Sequence, residues 1–264
     1  MFLRTALLIF VAGVVLLVLQ VVVRSTPEPL RVSLKIDGVV REAIIYPPAK
    51  LDPHGAPVVF GFHGQGSGPT QAAKSFQIQD IWPEAVVVYP GGLGGDWMSE
   101  PGEAGDRDLK FFDALLAEVR RTYQTDPRRT YATGHDNGAV FTYLLSAVRP
   151  GLLAAIAPSA GGFARGTAAR PIPVMHIAGE QDSIAPLNVQ EQVMTLMRRI
   201  NGCEAAPLPW GVPPVTGCQF YPSGRGTPFV AFIHRAGHVY PSEAPALVVR
   251  FFQEHPAPPR PPAA

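Results

Sequence analysis

The chain has 264 residues, of which 47% are hydrophobic and 9% aromatic, enough to bury a core and too many for an intrinsically disordered protein. Its formal net charge is +1 and only 16% of its residues are charged, so the composition gives no indication of the clustered Lys and Arg that bind nucleic acid. Two cysteines are too few for a disulfide-stapled scaffold or a zinc ribbon.

An apolar run extends from Ala6 to Val23 and contains one Gln. Its 18 residues are at the lower limit for a membrane-spanning helix, and the only cleavage pattern after it is the weak Val23-Arg24-Ser25. We therefore expect residues 1–24 to be an uncleaved signal anchor, with a cleaved signal peptide as the alternative. Residues 25–30 are predicted to be a linker. Either kind of signal implies that the rest of the chain is exported.

Strands and helices are predicted to alternate after the linker. An Asp37-Gly38 pair between two strand-like runs indicates a β-hairpin over residues 31–47. The elements predicted after it are strands over Val58–Phe62 and Ala85–Tyr89, a helix over Arg107–Tyr123, a strand over Thr130–Thr133 with a helix to about Val148, strands over Leu153–Ala157 and Pro173–Ala178, a helix over Leu187–Ile200, a strand over Phe229–His234 and a helix over Glu243–Phe252.

This alternation predicts an α/β fold with a mostly parallel, doubly wound sheet, helices on both faces and an antiparallel N-terminal hairpin at one edge. The folded part is expected to be one domain over residues 31–254. Residues 255–264 are predicted to be a Pro-rich, extended tail.

Reactive groups of doubly wound sheets lie on loops at the carboxyl ends of the strands, and two such loops have distinctive sequences. Residues 61–68 contain His63-Gly64, a pair typical of a loop whose backbone N–H faces a developing oxyanion, although a plain Gly-rich turn would look similar. Gly134-His135-Asp136-Asn137-Gly138 has the two glycines that a sharp strand-to-helix elbow requires. The centre of this elbow is Asp136, where serine is usual.

Two later loops supply an acid and a histidine. Asp182 follows the strand Pro173–Ala178, and His238 follows the strand Phe229–His234. Alone, such residues are more often a turn residue and a surface histidine. Their order along the chain, which is nucleophile, acid and then histidine, is that of the α/β-hydrolase arrangement.

These loops resemble those of the α/β-hydrolase superfamily, and within it the exported esterases of the polyhydroxybutyrate depolymerase and feruloyl esterase branch. The resemblance covers residues 30–255. It implies hydrolysis of carboxylic esters, in a small molecule or a polymer, by a Ser-His-Asp triad without a cofactor or a metal. The motifs that carry it are His63-Gly64, Tyr89-Pro90-Gly91 followed by Trp97, Asp106-Arg107-Asp108, Asp126–Tyr131, Asn201-Gly202-Cys203 and Gly237-His238 with Pro241.

The resemblance also implies roles for individual residues. Asp182 would be the acid and His238 the base, and the backbone N–H groups of Gln65 and Asn137 would form the oxyanion hole. A cysteine after Asn-Gly is often disulfide-bonded in this family. In an oxidising compartment we therefore expect Cys203 and Cys218 to be bonded.

Asp136 departs from the family because it stands where the serine should be. A carboxylate that attacks an ester carbonyl would form an anhydride, which is energetically uphill, so ordinary triad esterolysis is not expected. A carboxylate does suit displacement at an sp³ carbon, and Gly-His-Asp-x-Gly is the elbow pattern of epoxide hydrolases and haloalkane dehalogenases. Those enzymes carry a cap domain, for which the segment Ser159–Arg170 is too short.

Three hypotheses follow. The first is an exported hydrolase that acts on carboxylic esters or a related bond with a variant Asp136–Asp182–His238 triad. The second is a catalytically silent hydrolase fold that binds a polymer or an envelope partner. The third is an epoxide hydrolase or dehalogenase without a cap. Retention of both Asp182 and His238 favours the first, with Ser67 as the alternative nucleophile.

No nucleic-acid partner is expected, and membrane contact is expected only through the N-terminal segment. The sequence indicates no oligomeric state.

Overall fold

The computed structural model describes residues 26–164, 166–211 and 213–258. The signal anchor predicted for residues 1–24 and the last six residues of the predicted tail lie outside these ranges. Within them, no helix combines the length and the apolar character needed to cross a membrane.

Among the described residues, ten strands form a single mixed sheet with the order β1-β2-β4-β3-β5-β6-β7-β10-β9-β8. The six central strands, from β4 to β10 in this order, are parallel to one another, whereas the pairings β1–β2 and β2–β4 at one edge and β10–β9 and β9–β8 at the other are antiparallel. The strands are β1 (Leu30–Ile36), β2 (Val39–Tyr46), β3 (Ala56–Phe62), β4 (Val86–Pro90), β5 (Thr125–His135), β6 (Ala155–Ser159), β7 (Val174–Gly179), β8 (Leu208–Pro209), β9 (Cys218–Tyr221) and β10 (Phe229–His234).

Six helices in the same part of the chain cover both faces of the sheet. They are α1 (Pro69–Phe76), α2 (Ile78–Ile81), α3 (Arg107–Thr122), α4 (Asn137–Val148), α5 (Leu187–Asn201) and α6 (Ala244–Glu254). On one face Val58 and Phe60 of β3 belong to the core formed with α3, α4 and α5, and on the other Val59 packs with α1, α2 and α6. Because successive side chains of a strand point to opposite faces, strands covered on both sides are apolar at every position.

The predicted doubly wound sheet with an antiparallel N-terminal hairpin is confirmed. The Asp37-Gly38 turn has positive φ at both residues, as a two-residue hairpin turn requires. The sequence patterns did not predict α1, α2, β8 and β9, because each of these elements is short and periodic patterns need more residues to be recognised. The connection between β6 and β7 contains no helix or strand among its described residues.

The disulfide predicted between Cys203 and Cys218 is wrong, because both are free thiols in the structure. Cys203 lies beside Ser223, five residues beyond Cys218, and strand geometry separates such positions by about 16 Å. The two cysteines also pack on opposite faces of the sheet. A disulfide requires Cα atoms within about 7 Å, so this register excludes the bond.

A buried ion pair ties the hairpin to the start of α3. The guanidinium of Arg41 on β2 donates to a carboxylate oxygen of Asp108 at 2.7 Å and to the carbonyl of Gly91 at 3.0 Å. The second oxygen of Asp108 accepts the backbone N–H of Met98 at 2.8 Å. The side chains of Arg41 and Asp108 are 2% and 0% exposed. This buried pair therefore holds the segment that follows β4 in place.

We expect Asp108→Ala to lower the free energy of unfolding by about 3–5 kcal/mol, because it leaves the Arg41 charge buried without its partner. The double variant Arg41→Met/Asp108→Leu should recover most of the loss. Asp113→Ala, which breaks the more exposed pair with Arg149, is the matched control and should cost about 1 kcal/mol or less. Urea-induced unfolding measures all three, and equal losses for the two single variants would contradict the prediction.

Candidate active site

The turn between β5 and α4 is a strained strand-to-helix elbow. Asp136 at its centre has φ 56° and ψ −123°, a conformation that L-residues rarely adopt. A Cβ on Gly134 would overlap the carbonyl of Gly138, and a Cβ on Gly138 would overlap the carbonyl of Phe62. The Asp136 N–H donates to the carbonyl of Ser159 at 2.9 Å. This close packing presents the Asp136 side chain at the carboxyl end of the sheet.

The predicted acid and histidine meet at the same edge. Nδ1–H of His238, after β10, donates to Oδ2 of Asp182, after β7, at 2.8 Å. The other oxygen of Asp182 accepts the N–H groups of Ile184 at 2.9 Å and Ala185 at 2.8 Å. Burial acts to raise the pKa of Asp182, but these hydrogen bonds outweigh it and lower the pKa. Because Asp182 is an ionised acceptor, the proton of a neutral His238 lies on Nδ1 and leaves Nε2 free to accept one.

The two oxygens of the Asp136 carboxylate have different neighbours. Oδ1 lies 3.6 Å from Nε2 of His238, which is longer than a hydrogen bond. Oδ2 accepts the backbone N–H of Gln65 at 2.9 Å. Thus the N–H that was expected to face a substrate oxyanion instead binds an oxygen of the protein itself.

The loop that carries Gln65 is held by His63. Its Nδ1–H donates to the carbonyl of Gly64 at 2.8 Å, and its Nε2 accepts the N–H of Gly92 at 2.9 Å, so the tautomer is determined by its partners. Nε1–H of Trp97 donates to the His63 carbonyl at 3.0 Å. Burial lowers the pKa of His63 and so favours the neutral ring that this pattern needs. The imidazole therefore shapes the loop rather than reacting.

Asn137 makes a side-chain contact with the Trp97 backbone that the sequence did not indicate. Its backbone N–H, the predicted oxyanion donor, is at the first position of α4, where no carbonyl within the helix can accept it. Its side chain accepts the N–H of Trp97 at 2.7 Å and donates to the Trp97 carbonyl at 3.1 Å. These two hydrogen bonds hold the elbow against the loop after β4. The two residues are 40 positions apart, so no local pattern could have predicted the pair.

A second imidazole lies behind the base. The ring centroids of His135 and His238 are 4.8 Å apart, and Nδ1 of His135 is 3.2 Å from the hydroxyl of Ser159. Burial, and then the neighbouring His238, lower the pKa of His135 to about 4. At neutral pH His135 is therefore an uncharged ring beside the base, a role that the sequence analysis did not assign to it.

These groups line a cleft of about 390 Å³. Its lining contains both uncharged polar and apolar side chains. Ser67, the alternative nucleophile, lines the same cleft. Among the described residues there is no group of His, Cys, Asp and Glu side chains that could hold a metal ion. The uncharged polar lining residues include Gln65, Ser67, Gln71 and Ser75, and the apolar and aromatic ones include Phe76, Val239 and Tyr240.

Comparison with known proteins identifies esterases in both sequence and structure. No family model matches the chain. It is 29% identical over 158 residues to the bifunctional acetylxylan esterase/xylanase XynS20E of Neocallimastix patriciarum, which covers 58% of this chain and 23% of that protein. It is 27% identical over 168 residues to feruloyl esterase C of Emericella nidulans, which covers 60% of this chain and 59% of the relative. The matched region is thus less than two thirds of each relative's length.

Solved esterases have the same architecture. An acetyl xylan esterase from Aspergillus awamori superposes with a TM-score of 0.65 at 17% identity, over 86% of this chain and 99% of the other. A thermostable esterase gives 0.65 at 16% identity, over 86% and 63%. The α/β-hydrolase fold and the similarity to feruloyl esterases are therefore confirmed.

The elbow strain predicts a difference between two substitutions that both remove the carboxylate. The free energy of unfolding of Asp136→Gly should exceed that of Asp136→Ala by about 1–2 kcal/mol, because glycine adopts this positive φ without a steric penalty. Urea-induced unfolding measures the difference. Ala147→Gly within α4 is the control and should lose about 1 kcal/mol, the opposite sign. Equal stability of the two Asp136 variants would show that the elbow is not strained.

Proposed function

The chain is an α/β-hydrolase-fold protein similar to esterases, and we propose that it hydrolyses carboxylic esters or a related bond with Asp136 as the nucleophile, His238 as the base and Asp182 as the group that orients the base. The observation that carries this proposal is the position of His238. Its Nδ1 is held 2.8 Å from a buried carboxylate, while its Nε2 faces Asp136. The feruloyl and acetylxylan esterases among the sequence relatives support a hydrolase of ester bonds.

The first chemical step follows from what a carboxylate can attack. Oδ1 of Asp136 faces His238 and the cleft, while Oδ2 is bound to the Gln65 N–H. Attack of Oδ1 on the alkyl carbon of an ester forms a new ester at Asp136, and the electron pair of the broken carbon–oxygen bond leaves with the substrate's carboxylate. This route avoids the anhydride that attack on the carbonyl would form.

Water completes the reaction in the second step. His238 Nε2 takes a proton from water as the water oxygen attacks Cγ of Asp136, and the charge develops on Oδ2. The Gln65 N–H already donates to this oxygen, and the Asn137 N–H is the predicted second donor. Collapse of the intermediate breaks the bond between Cγ and the alkoxide oxygen, which takes the proton from His238 and leaves as the alcohol. The Asp136 carboxyl group still carries the second proton of the water, and its loss to bulk solvent restores the carboxylate.

An ester suits this site better than an epoxide. A carboxylate leaves as a stable anion and needs no protonation, whereas the alkoxide of an opened epoxide needs an acid. In related enzymes the cap domain supplies the leaving-group contacts, and the described part of the β6–β7 connection contains no helix or strand. An ester, whose carboxylate leaves without being protonated, is therefore the favoured substrate.

We also propose that the enzyme acts outside the cytoplasmic membrane. The support is the apolar segment of residues 6–23 between Arg4 and Arg24, read as a signal anchor or a signal peptide. A small ester and an ester-containing polymer are both compatible with an open cleft.

Isotope labelling tests the nucleophile. When turnover takes place in H₂¹⁸O, Asp136 should acquire ¹⁸O, and the alcohol should acquire it in later turnovers, while the carboxylic acid product keeps its original oxygens. Mass spectrometry of the peptide that contains Asp136 provides the measurement, and the peptide with Asp182 is the internal control. Label in the acid product and none in Asp136 would show instead that water attacks the carbonyl directly.

Asp136→Ser should convert the site into an ordinary triad. It is expected to gain labelling by fluorophosphonates and to raise p-nitrophenyl ester turnover by about 10²-fold or more over the wild type, because His238 already faces the substituted position. Asp136→Ala is the control and should gain neither property. Strong labelling of the wild-type protein would move the nucleophile to another residue, and Ser67 would be tested first.

One observation favours the second candidate, a catalytically silent binding protein. The Asp136 carboxylate already accepts the Gln65 N–H and lies 3.6 Å from Nε2 of His238, so the predicted oxyanion donor is occupied without a substrate. In that case a folded Asp136→Ser variant would stay inert, because His238 and the loop that carries Gln65 would not have to be aligned for catalysis. Activity of this variant together with ¹⁸O uptake by wild-type Asp136 would reject the binding hypothesis.

A further inference from the structure

Three buried polar side chains form a hydrogen-bonded row beneath the acid loop, the segment of residues 182–186. The hydroxyl of Tyr143 on α4 lies 2.8 Å from Nδ1 of His176 on β7, and Nε2 of His176 lies 3.0 Å from Oε1 of Gln190 on α5. Nε2 of Gln190 then donates to the carbonyl of Ala185 at 2.7 Å. His176 is 0% exposed, and Tyr143 and Gln190 are each 2% exposed.

The direction of every hydrogen bond in this row is determined by its last acceptor. The Ala185 carbonyl can only accept, so the NH₂ group of Gln190 faces it and Oε1 faces His176. Nε2 of His176 must therefore carry the ring proton, and its Nδ1 accepts the hydroxyl of Tyr143. Burial lowers the pKa of His176 to about 4, so at neutral pH the ring is uncharged, as this pattern needs. All of the polar side-chain groups in the row are then satisfied.

Ala185 connects this row to the active site. Its carbonyl accepts the Gln190 amide, while its N–H donates to Oδ1 of Asp182. The opposite oxygen of Asp182 accepts Nδ1–H of His238. A contiguous series of hydrogen bonds therefore extends from the core between α4 and α5 to the predicted catalytic base.

We propose that Gln190, supported by His176, is a positioning residue that fixes the acid loop and so holds Asp182 in line with His238. The loop has little packing of its own, since Ser183, Ile184 and Pro186 are exposed, Ile184 by 70%. An apolar residue at position 190 would fill the same volume but would offer no donor to the Ala185 carbonyl. The effect on turnover rests on the proposed function, whereas the effect on the tautomer of His238 does not.

The experiment compares three variants of the full chain by ¹⁵N spectroscopy of the histidine rings. Gln190→Leu removes both hydrogen bonds of the amide. Gln190→Glu keeps an acceptor for His176 but, when ionised, has no donor for Ala185. Tyr143→Phe is the matched control, because it removes a buried polar group of the same row and leaves the Gln190–Ala185 bond in place. The His238 signals are assigned by their loss in His238→Gln.

In the wild type and in Tyr143→Phe we expect His238 to be the Nδ1–H tautomer with an unprotonated Nε2. In Gln190→Leu and Gln190→Glu the ring should exchange between tautomers, because Asp182 is no longer held at the imidazole. In the Asp136→Ser background, kcat should fall about 10-fold or more with KM unchanged in both Gln190 variants and stay within about twofold in Tyr143→Phe.

The tautomer and the turnover separate the two proposals. If His238 keeps its wild-type tautomer in both Gln190 variants, the row is only a structural element of the core and the inference is overturned. Loss of the tautomer in an inert protein would support Gln190 as a positioning residue and would count against the proposed hydrolase instead. Should Gln190→Leu fail to fold, the polar Gln190→Glu decides the question by the same spectra.

Discussion

The close passage of Gly138 against the carbonyl of Phe62 is the constraint on which the site depends. It brings the end of β3, which leads into the loop that carries Gln65, against the first turn of α4, where residue 136 has a positive φ. This packing holds Asp136 and the Gln65 N–H relative to each other, together with the hydrogen bonds of His63 and of the Asn137 side chain. His238 and Asp182 come from strands that lie beside each other in the sheet, so their approach needs only the parallel order β7–β10. The identity of the side chain at position 136 is therefore not determined by the scaffold.

Replacing a serine by an aspartate at such a point changes where negative charge is stabilised. In a serine enzyme the oxyanion donors face charge that develops on the substrate, and their contribution appears only in the transition state. Here the Gln65 N–H binds the carboxylate of Asp136 before any substrate arrives. In the proposed reaction this donor stabilises developing charge only when Asp136 is itself an ester under attack by water. The chemistry of the residue and the geometry of the donor thus favour the same class of reaction, a displacement at carbon followed by hydrolysis of the enzyme-bound ester.

The sequence predicted the sheet and the order of Asp136, Asp182 and His238, because each follows a strand whose apolar pattern is unambiguous. It did not predict the side-chain contacts of Asn137 with Trp97 or of Gln190 with His176, which join residues that are distant along the chain and have no local signature. The predicted disulfide failed for a related reason. The face on which Cys218 packs depends on the register of β9 against β10, and β9 is too short for its pattern to be recognised.

The two halves of the triad are built differently, and the difference bears on whether the site is active. Asp182 is a fully buried carboxylate, and among the described residues its hydrogen-bond donors are His238 and two backbone N–H groups. A buried charge is costly unless it is paired, and apolar residues in its place are often neutral or stabilising. A protein that used this fold only for binding would have no reason to keep that arrangement.

Asp136, by contrast, is partly exposed and lies 3.6 Å from Nε2 of His238, so the orientation of His238 does not depend on Asp136. A histidine oriented in this way can take a proton from either a hydroxyl or a water molecule, so a carboxylate at the elbow is compatible with the proposed role of His238 as a base.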